Sequence, residues 1–428
     1  MNNRILLFVE GPAVDELWPL CVSRPSFMLR CGLTLLWEKW VARLQPNSVF
    51  FFCRPELAAT LAERTNYPVN QSVEWANADV WIIDARWLIP PKSNFKSHEL
   101  SNYTAMRCAG RIVGLRIDAG RYKIPSSLVQ WLQSHGAGNF PEVDLVPAEV
   151  PGTVVNHLWD IVDRNPEQIN VDYDILTSSG FGQRIAGSRG EDVSWIQPEN
   201  VLCGAGVQVA PQVVLDARGG PIILGANVKI EPHTYIEGPA AIGEDAAIFG
   251  GKIRAGTTIG PGCRVSGEVE ASVFLGWANK HHDGFLGHSV IGEWVNLGAM
   301  TTNSDLKNNY SPVKVVFPER TIDSGRIKVG SFLADHTKTG IGTLIPTGGA
   351  VGFAGNIFGG GAVIPKYIPE FVWGGGKTYN EYQPDKAKQT AEAVVARRGM
   401  TFTKAQAQLF DHIFEQTKKQ RARFFEQV

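Results

Sequence analysis

The feature that most constrains the fold is a six-residue period between residues 200 and 365. Large apolar residues recur at eight positions, with a single one-residue slip: Leu224, Ile230, Ile236, Ile242, Ile248, Ile253, Ile259 and Val265. Glycine follows several of them, as in Leu224-Gly225. This pattern is typical of a parallel β-helix of hexapeptide repeats, in which large side chains fill a prism and glycines turn its corners. It predicts a left-handed β-helix over residues 201–376. An ordinary sheet with glycine turns is the alternative.

The period breaks at residues 273–285 and 303–326. Insertions in a solenoid emerge as loops on one face, often the binding face. The first contains His281 and His282, and histidine is the side chain that acts most readily as a general base near neutral pH. The second contains Asn303 and Lys307, which could supply an amide hydrogen bond and a phosphate contact. Solvated loops and a structural histidine are the alternatives.

Residues 1–165 alternate apolar runs with helix-like spacing. The runs at residues 4–9, 49–52, 80–83 and 112–115 lack internal alternation, which is typical of parallel strands covered on both faces. We therefore expect an α/β nucleotide-binding-like domain. Arg24 and Arg30 precede a helix-like stretch containing Lys39, where they could hold phosphates or simply carry surface charge. Asp84 ends a strand and could hold Mg²⁺ or cap a helix.

The remaining segments are a linker over residues 166–200 and a polar, helix-prone end over residues 377–428. The helix containing Val162 is expected to stop at Asn165-Pro166. From Asp385 onward there are nine Lys/Arg and five Asp/Glu, so the end is interpreted as helices that cap the solenoid, with a basic interaction tail as the alternative.

Composition excludes several classes of protein. The net charge of -1 gives no general attraction to nucleic acid or to an anionic membrane, and no apolar run approaches the ~18 residues of a membrane helix. Six scattered cysteines contain no C-x-x-C pair, which favours reduced thiols in the cytoplasm. A zinc site is a weaker alternative, because His282 and His288 are poorly spaced for it.

Two groups of motifs carry a family resemblance. Residues 285–303 read F-L-G-H-S-V-I-G-E-W-V-N-L-G-A-M-T-T-N, and Arg24-Pro25, Arg30, Gly32 and the segment Asn303–Tyr310 accompany them. Together they resemble the bifunctional family that makes UDP-N-acetylglucosamine, and more closely an alternative branch of sugar nucleotidyltransferases. The resemblance covers nearly the whole chain. It implies a uridyltransferase domain, a β-helix acetyltransferase, acetyl-CoA and Mg²⁺ as cosubstrate and cofactor, and a homotrimer.

The resemblance also assigns residues. His282 takes the place of the family's catalytic histidine, and Asn303 that of an asparagine that orients the base or the amine. Phe285 takes the place of a substrate-binding tyrosine but lacks its hydroxyl, so one substrate contact is lost. Further contacts to sugar or cofactor phosphates are expected from Lys280, Lys307 and Lys314. The family's arginine and lysine before the histidine have no clean match, and Arg254 or Arg264 could replace them in binding substrate.

One departure lies in the N-terminal part. The family's glycine-rich phosphate turn is absent, and the first strand runs into Glu10-Gly11-Pro12-Ala13. Arg24, Arg30 and Lys39 would then neutralise more of the triphosphate charge.

The predicted function is a bifunctional transferase that acetylates an amino sugar phosphate and joins a sugar 1-phosphate to a nucleotide triphosphate. The alternatives are an acyltransferase whose N-terminal domain only binds a nucleotide sugar, and a non-enzymatic trimeric scaffold.

Overall fold

The computed structural model describes residues 3–11, 14–91, 94–136, 139–184, 192–358, 360–376 and 378–428. The chain forms two compact units. The first contains Met1–Leu17, Arg24–Leu29 and Thr34–His157, and the second contains Trp18–Ser23, Arg30–Leu33 and Leu158–Val428. Pro12 and Ala13, which belong to the predicted turn after the first strand, lie outside the described residues.

A six-stranded sheet organises the first unit. Its strands, in spatial order, are Ser48–Phe52, Asn3–Val9, Ala78–Asp84, Arg111–Asp118, Tyr103–Cys108 and Val146–Glu149. A small antiparallel pair, Trp87–Leu88 and Thr153–Val154, accompanies it. The α-helices are Leu36–Leu44, Pro55–Ala62 and Ser126–Gln133. The strand Ala78–Asp84 is buried along its whole length, as expected for a strand covered on both faces. The predicted α/β class is confirmed.

The fourth apolar run is not parallel to the other three. The first three strands in this order are parallel, but Arg111–Asp118 runs antiparallel to Ala78–Asp84. A hairpin explains the difference: Ala109 and Gly110 both have positive φ, and this two-residue turn returns the chain beside Tyr103–Cys108.

The second unit is a parallel β-helix with three faces. The first face contains Ser194–Ile196, Val214–Asp216, Tyr235–Glu237, Lys252–Ile253, Glu268–Glu270 and Phe285–Gly287. The second contains Val201–Cys203, Ile222–Leu224, Ala240–Ile242, Thr257–Ile259, Val273–Phe274, Val290–Ile291, Phe332–Leu333, Ala350–Val351 and Tyr367–Ile368, with Gln183–Arg184 antiparallel at its edge. The third contains Gln208–Val209, Lys229–Ile230, Ala247–Ile248, Arg264–Val265, Asn279–Lys280, Asn296–Leu297, Lys338–Thr339, Asn356–Ile357, Val372–Gly375 and Thr378–Glu381.

The hexapeptide positions form the interior of this β-helix. All eight predicted large residues are at most 2% exposed and belong to one core cluster, so the repeat prediction is confirmed. The second insertion contributes the strand Thr302–Asn303, which pairs with Leu344–Ile345, and a hairpin of Lys314–Val316 and Thr321–Asp323.

The helix Leu158–Ser178 continues through Pro166, so the predicted stop at Asn165-Pro166 is wrong. An internal proline costs a helix roughly 3 kcal/mol. Here the helix has buried polar anchors: the Asn165 amide donates to Gly256 O (2.8 Å) and Thr258 Oγ1 (3.0 Å), and its carbonyl oxygen accepts from Gly32 N (2.6 Å). The helix crosses the predicted boundary at residue 165, and residues 185–191 of the predicted linker lie outside the described residues.

Three helices follow the last coils: Pro384–Ala396, Lys404–Gln416 and Lys418–Phe425. Phe424 joins the β-helix core, and the Phe410 ring lies 4.6 Å from that of Phe353. Arg421 is buried, pairs with Glu381 at 3.0 Å and stacks on the Phe414 ring. These contacts favour the predicted cap over a free basic tail. Within the described ranges, no helix combines the length and apolarity needed to cross a bilayer.

Candidate active site

His282 lies on the corner between the strands Asn279–Lys280 and Phe285–Gly287, in the first insertion. His281, His282 and Asp283 are exposed. The ring of His282 meets that of His281 edge-on at 5.1 Å, and His281 packs on Phe249 at 4.4 Å. Within the described part of the chain the His282 ring makes no hydrogen bond, so its nitrogens face solvent and can take a proton from a ligand.

Lys280 fixes the backbone of this corner from inside. Its Nζ donates to the carbonyl oxygens of Ser266 (2.8 Å) and His282 (3.1 Å), and the side chain is buried. Burial lowers the pKa of Lys280 to about 8, although the charge of Asp283 opposes this effect. The ammonium is therefore turned toward the loop backbone, and the geometry favours a positioning role over the predicted phosphate contact.

Asn303 lies at the other end of the strand Phe285–Gly287. Its Oδ1 accepts from Gly287 N (2.9 Å), and its Nδ2 donates to Gly287 O (3.0 Å) and Ser289 Oγ (3.2 Å). All of these bonds hold the corner that follows the strand, whereas His282 lies on the corner that precedes it. The structure does not bring the predicted pair His282 and Asn303 together within one chain.

A column of three outward-facing side chains lies on the first face, whose last strand begins three residues after His282. Lys252, Glu268 and Phe285 are register partners on three successive strands. Arg254, on the same face, is exposed and pairs with Glu237 at 3.1 Å. Lys252 and Glu268 were not predicted from the sequence. The signal that could have found them is their position directly before the interior residues Ile253 and Val269, because neighbouring residues in a strand point to opposite sides.

The two other predicted lysines lie in the second insertion. Lys307 Nζ donates to Ser311 Oγ (3.2 Å) and to the carbonyl oxygen of Pro312. Lys314 is exposed in the hairpin strand Lys314–Val316. Lys307 thus stabilises its own loop, and the phosphate roles of both residues stay predictions.

In the first unit, charged residues gather at the carboxyl ends of the three parallel strands. Arg54 pairs with Glu10 at 3.1 Å, and Arg86 pairs with Asp84 at 2.8 Å in a fully buried ion pair. Gly11 is required here, because a Cβ at this position would clash with the Asp84 carboxylate and its φ is +74°. The carboxyl edge of parallel strands is where α/β folds bind nucleotides.

The remaining predicted phosphate residues are buried. Arg24 and Lys39 are 2% and 1% exposed, in the first unit. Arg30 belongs to the second unit, where its guanidinium donates to the carbonyl oxygens of Leu275 (3.3 Å) and Leu33. The segment Arg24–Gly32 therefore contributes to both units, and Arg30 has a structural contact in place of an open phosphate site.

Asp84 fits poorly as a resident metal ligand. The Arg86 guanidinium donates to both carboxylate oxygens, at 3.2 and 2.8 Å, and Arg86 N donates to Oδ1 at 3.0 Å. Among the described residues, no group of three or more His, Cys, Asp and Glu is placed to hold a metal ion.

Comparisons with known proteins find similarity to nucleotidyltransferases and to acetyltransferases. Residues 5–180 match the family model described as sugar nucleotidyl transferase. A bifunctional sugar-1-phosphate nucleotidylyltransferase/acetyltransferase of Sulfurisphaera tokodaii is 35% identical over 155 residues, which cover 34% of this chain and 37% of that protein. The uncharacterized Escherichia coli acetyltransferase YaiX is 30% identical over 145 residues, covering 33% and 63% respectively. The bifunctional protein GlmU of Synechococcus is 28% identical over 201 residues, covering 42% and 41%.

These matches confirm the predicted similarity to nucleotidyl- and acetyltransferases. In each case the chain spans less than two thirds of the relative's length.

Proposed function

We propose that this protein is a bifunctional transferase of the cytoplasm. The β-helix transfers an acetyl group from acetyl-CoA to the amine of an amino sugar phosphate. The first unit joins a sugar 1-phosphate to a nucleotide, with release of pyrophosphate. The observation that carries the proposal is the exposed His282 on a braced corner of the β-helix, three residues before Phe285, which is in register with Glu268 and Lys252.

In the acetyl transfer, His282 takes a proton from the sugar amine. The amine nitrogen then forms a bond to the thioester carbonyl carbon, the carbon–sulfur bond breaks, and the thiol of CoA leaves with a proton. Lys252 and Arg254 offer cations for the sugar phosphate on the same face, and Lys280 holds the carbonyl of His282 in place. Asn303 acts indirectly, because it fixes the corner at Gly287.

In the nucleotidyl transfer, Arg24, Lys39 and Arg54 are the proposed cations for the triphosphate. They belong to one unit, and Arg54 Nη2 reaches the carbonyl oxygen of Arg24 at 3.4 Å. Mg²⁺ would accompany the triphosphate and neutralise part of its charge. Gly11 leaves room for the Asp84 carboxylate, with which a side chain at this position would clash.

We also propose a homotrimer. Met300 and Ile341 are 58% and 74% exposed along the coils that follow the His282 corner. Their backbone is linked to that corner, since Met300 N donates to Asp283 O (2.9 Å) and Gly342 N to Ala299 O (2.8 Å). Apolar side chains exposed next to a site are typical of a subunit interface. Light scattering of the protein as it elutes from a size-exclusion column measures the oligomeric state directly. Ile341→Asp should shift the measured mass toward that of a monomer.

The two activities are tested in one incubation with acetyl-CoA, glucosamine 1-phosphate, UTP and Mg²⁺. Free thiol reports the first step and pyrophosphate reports the second. Thiol without pyrophosphate, combined with calorimetric binding of UTP, would reduce the first unit to a binding module. Absence of both products would overturn the proposal for these substrates.

A further inference from the structure

A second polar cluster lies at the end of the strand Phe285–Gly287 that is remote from His282. His288 Nδ1 and Asp305 Oδ2 are 2.8 Å apart. The side chains are 16% and 11% exposed, so the pair is sheltered but open to a ligand. His288 lies six positions after His282 in the chain, which allows a span of at most about 20 Å. The two histidines therefore flank one strand.

The backbone of this cluster is fixed from several sides. His288 N donates to Glu270 O (3.0 Å), and its carbonyl accepts from Gly330 N (2.9 Å). Asn303 binds Gly287 on both its N–H and its carbonyl group, and the carbonyl of Asp305 accepts from Val329 N (2.9 Å). A site built this way holds its side chains in one geometry before a ligand arrives.

Gly287 lies beneath the side chains of Phe285 and Asp305, at the end of the strand. A Cβ on Gly287 would lie 2.5 Å from Asp305 Oδ2 and 2.5 Å from Phe285 Cζ. The carboxylate and the edge of the aromatic ring therefore both lie over the Gly287 Cα, on the outward side of the face. The φ of Gly287 is not in the positive range that demands glycine, so glycine is needed here for space.

The chemistry of these three side chains matches a sugar ring. The Phe285 ring offers an apolar surface on which the C–H face of a pyranose can lie. Asp305 can accept hydrogen bonds from ring hydroxyls, and the second nitrogen of His288 can exchange one with a neighbouring hydroxyl. Burial alone raises the pKa of Asp305, but the hydrogen bond and charge of His288 and the charge of Lys328 outweigh it and lower the pKa overall. The carboxylate is thus ionised at neutral pH.

We infer that Phe285, Asp305 and His288 form the sugar-ring subsite of the acceptor, in which His288 and Asp305 read its hydroxyl groups. The inference rests on the proposed acetyl transfer, because it places the sugar amine at the His282 end of the strand and the ring hydroxyls at the other end. His288 and Asp305 thus bind the acceptor and determine specificity, whereas His282 accepts the proton from the sugar amine.

Calorimetric titration with glucosamine 1-phosphate and galactosamine 1-phosphate tests the subsite. The proteins are wild type, His288→Gln, Asp305→Asn and Gly287→Ala. His233→Gln is the matched control, because His233 is also a corner histidine with positive φ but is exposed on an earlier coil. We expect the Kd of the amino sugar phosphate to rise at least tenfold in the first three variants and to stay within twofold in the control. The Kd of acetyl-CoA should stay unchanged in all of these proteins.

Two results would overturn the inference: unchanged sugar affinity in both His288→Gln and Asp305→Asn, or a wild type that binds neither amino sugar phosphate. A loss of kcat with unchanged Kd would also contradict it, since the pair would then act on the proton. Failure of the proposed function looks different. Acetyl-CoA would give no heat and no thiol, while sugar binding would still depend on His288 and Asp305.

Discussion

Replacing Lys280 by methionine should separate two effects of this buried cation, on stability and on catalysis. The pKa of Lys280 is lowered from 10.5 to about 8 by burial, so the charged form is disfavoured in the folded protein. Since each tenfold change in proton affinity corresponds to about 1.4 kcal/mol, protonation of Lys280 costs the fold roughly 3 kcal/mol well below pH 8. Its two hydrogen bonds to buried carbonyl groups offset part of this cost, at roughly 1.5–3 kcal/mol each. Near pH 7 we therefore expect Lys280→Met to change the free energy of unfolding little.

The lowered pKa of Lys280 also predicts the direction in which the stability of the wild type changes with pH. The unfolded chain binds a proton at Lys280 up to pH 10.5, whereas the folded chain releases it above about pH 8. Stability of the wild type should therefore rise with pH across this window, by about 2 kcal/mol between pH 7 and pH 9.5 relative to Lys280→Met. Urea midpoints followed by circular dichroism at the two pH values measure this difference. If the free energies of unfolding of wild type and Lys280→Met differ by the same amount at pH 7 and at pH 9.5, this effect of the lowered Lys280 pKa is contradicted.

Lys338 is the matched control for the catalytic part. Its Nζ donates to the carbonyl oxygens of Trp294 (2.6 Å) and His336 (3.1 Å), and burial lowers its pKa to about 7. Lys338→Met should thus show a similar pH dependence of stability. Only Lys280→Met should lower kcat of thiol release, by roughly tenfold, because only Lys280 braces the corner of His282. Equal rates in the two variants would show that the brace has no catalytic role.

Three further outcomes follow from buried residues. Ile248→Ala should cost about 3 kcal/mol, because it leaves a cavity in the fully buried β-helix core, and should lower the urea midpoint without changing the KM for acetyl-CoA. Arg86→Gln should destabilise the first unit by about 3–5 kcal/mol, since it leaves the Asp84 charge buried without its partner; a thermal scan that matches wild type would contradict this. Gly11→Ala should displace Asp84 and weaken UTP binding, whereas Gly110→Ala, which has positive φ but open space around it, should leave the Kd of UTP within twofold.

Much of the fold could be predicted because its signals are local and periodic. The six-residue spacing of the interior residues from Leu224 to Val265 can be found along the sequence alone, since each coil of the β-helix places its interior residues in the same register. Pro166 failed as a stop signal because the anchors of Asn165 come from Gly256 and Thr258, some ninety positions along the chain. Helix propensity is a property of the local sequence and does not include such long-range contacts.

Only those features of the site that depend on a single residue could be predicted from the sequence. His282 is exposed on the insertion corner as expected. The pairing of His288 with Asp305, and the bonds of Asn303 to Gly287, depend on how one coil stacks on the next. The same holds for Lys252 and Glu268, which become neighbours of Phe285 only through the strand register. Spacing along the sequence does not contain that information.

The catalytic role of His282 is tested by release of free thiol from acetyl-CoA with glucosamine 1-phosphate, measured in parallel for wild type, His282→Ala and the exposed control His233→Ala. We expect turnover in wild type and control, and a loss of at least a hundredfold in kcat for His282→Ala with the KM for acetyl-CoA unchanged. Equal rates in all three proteins would contradict the role of His282.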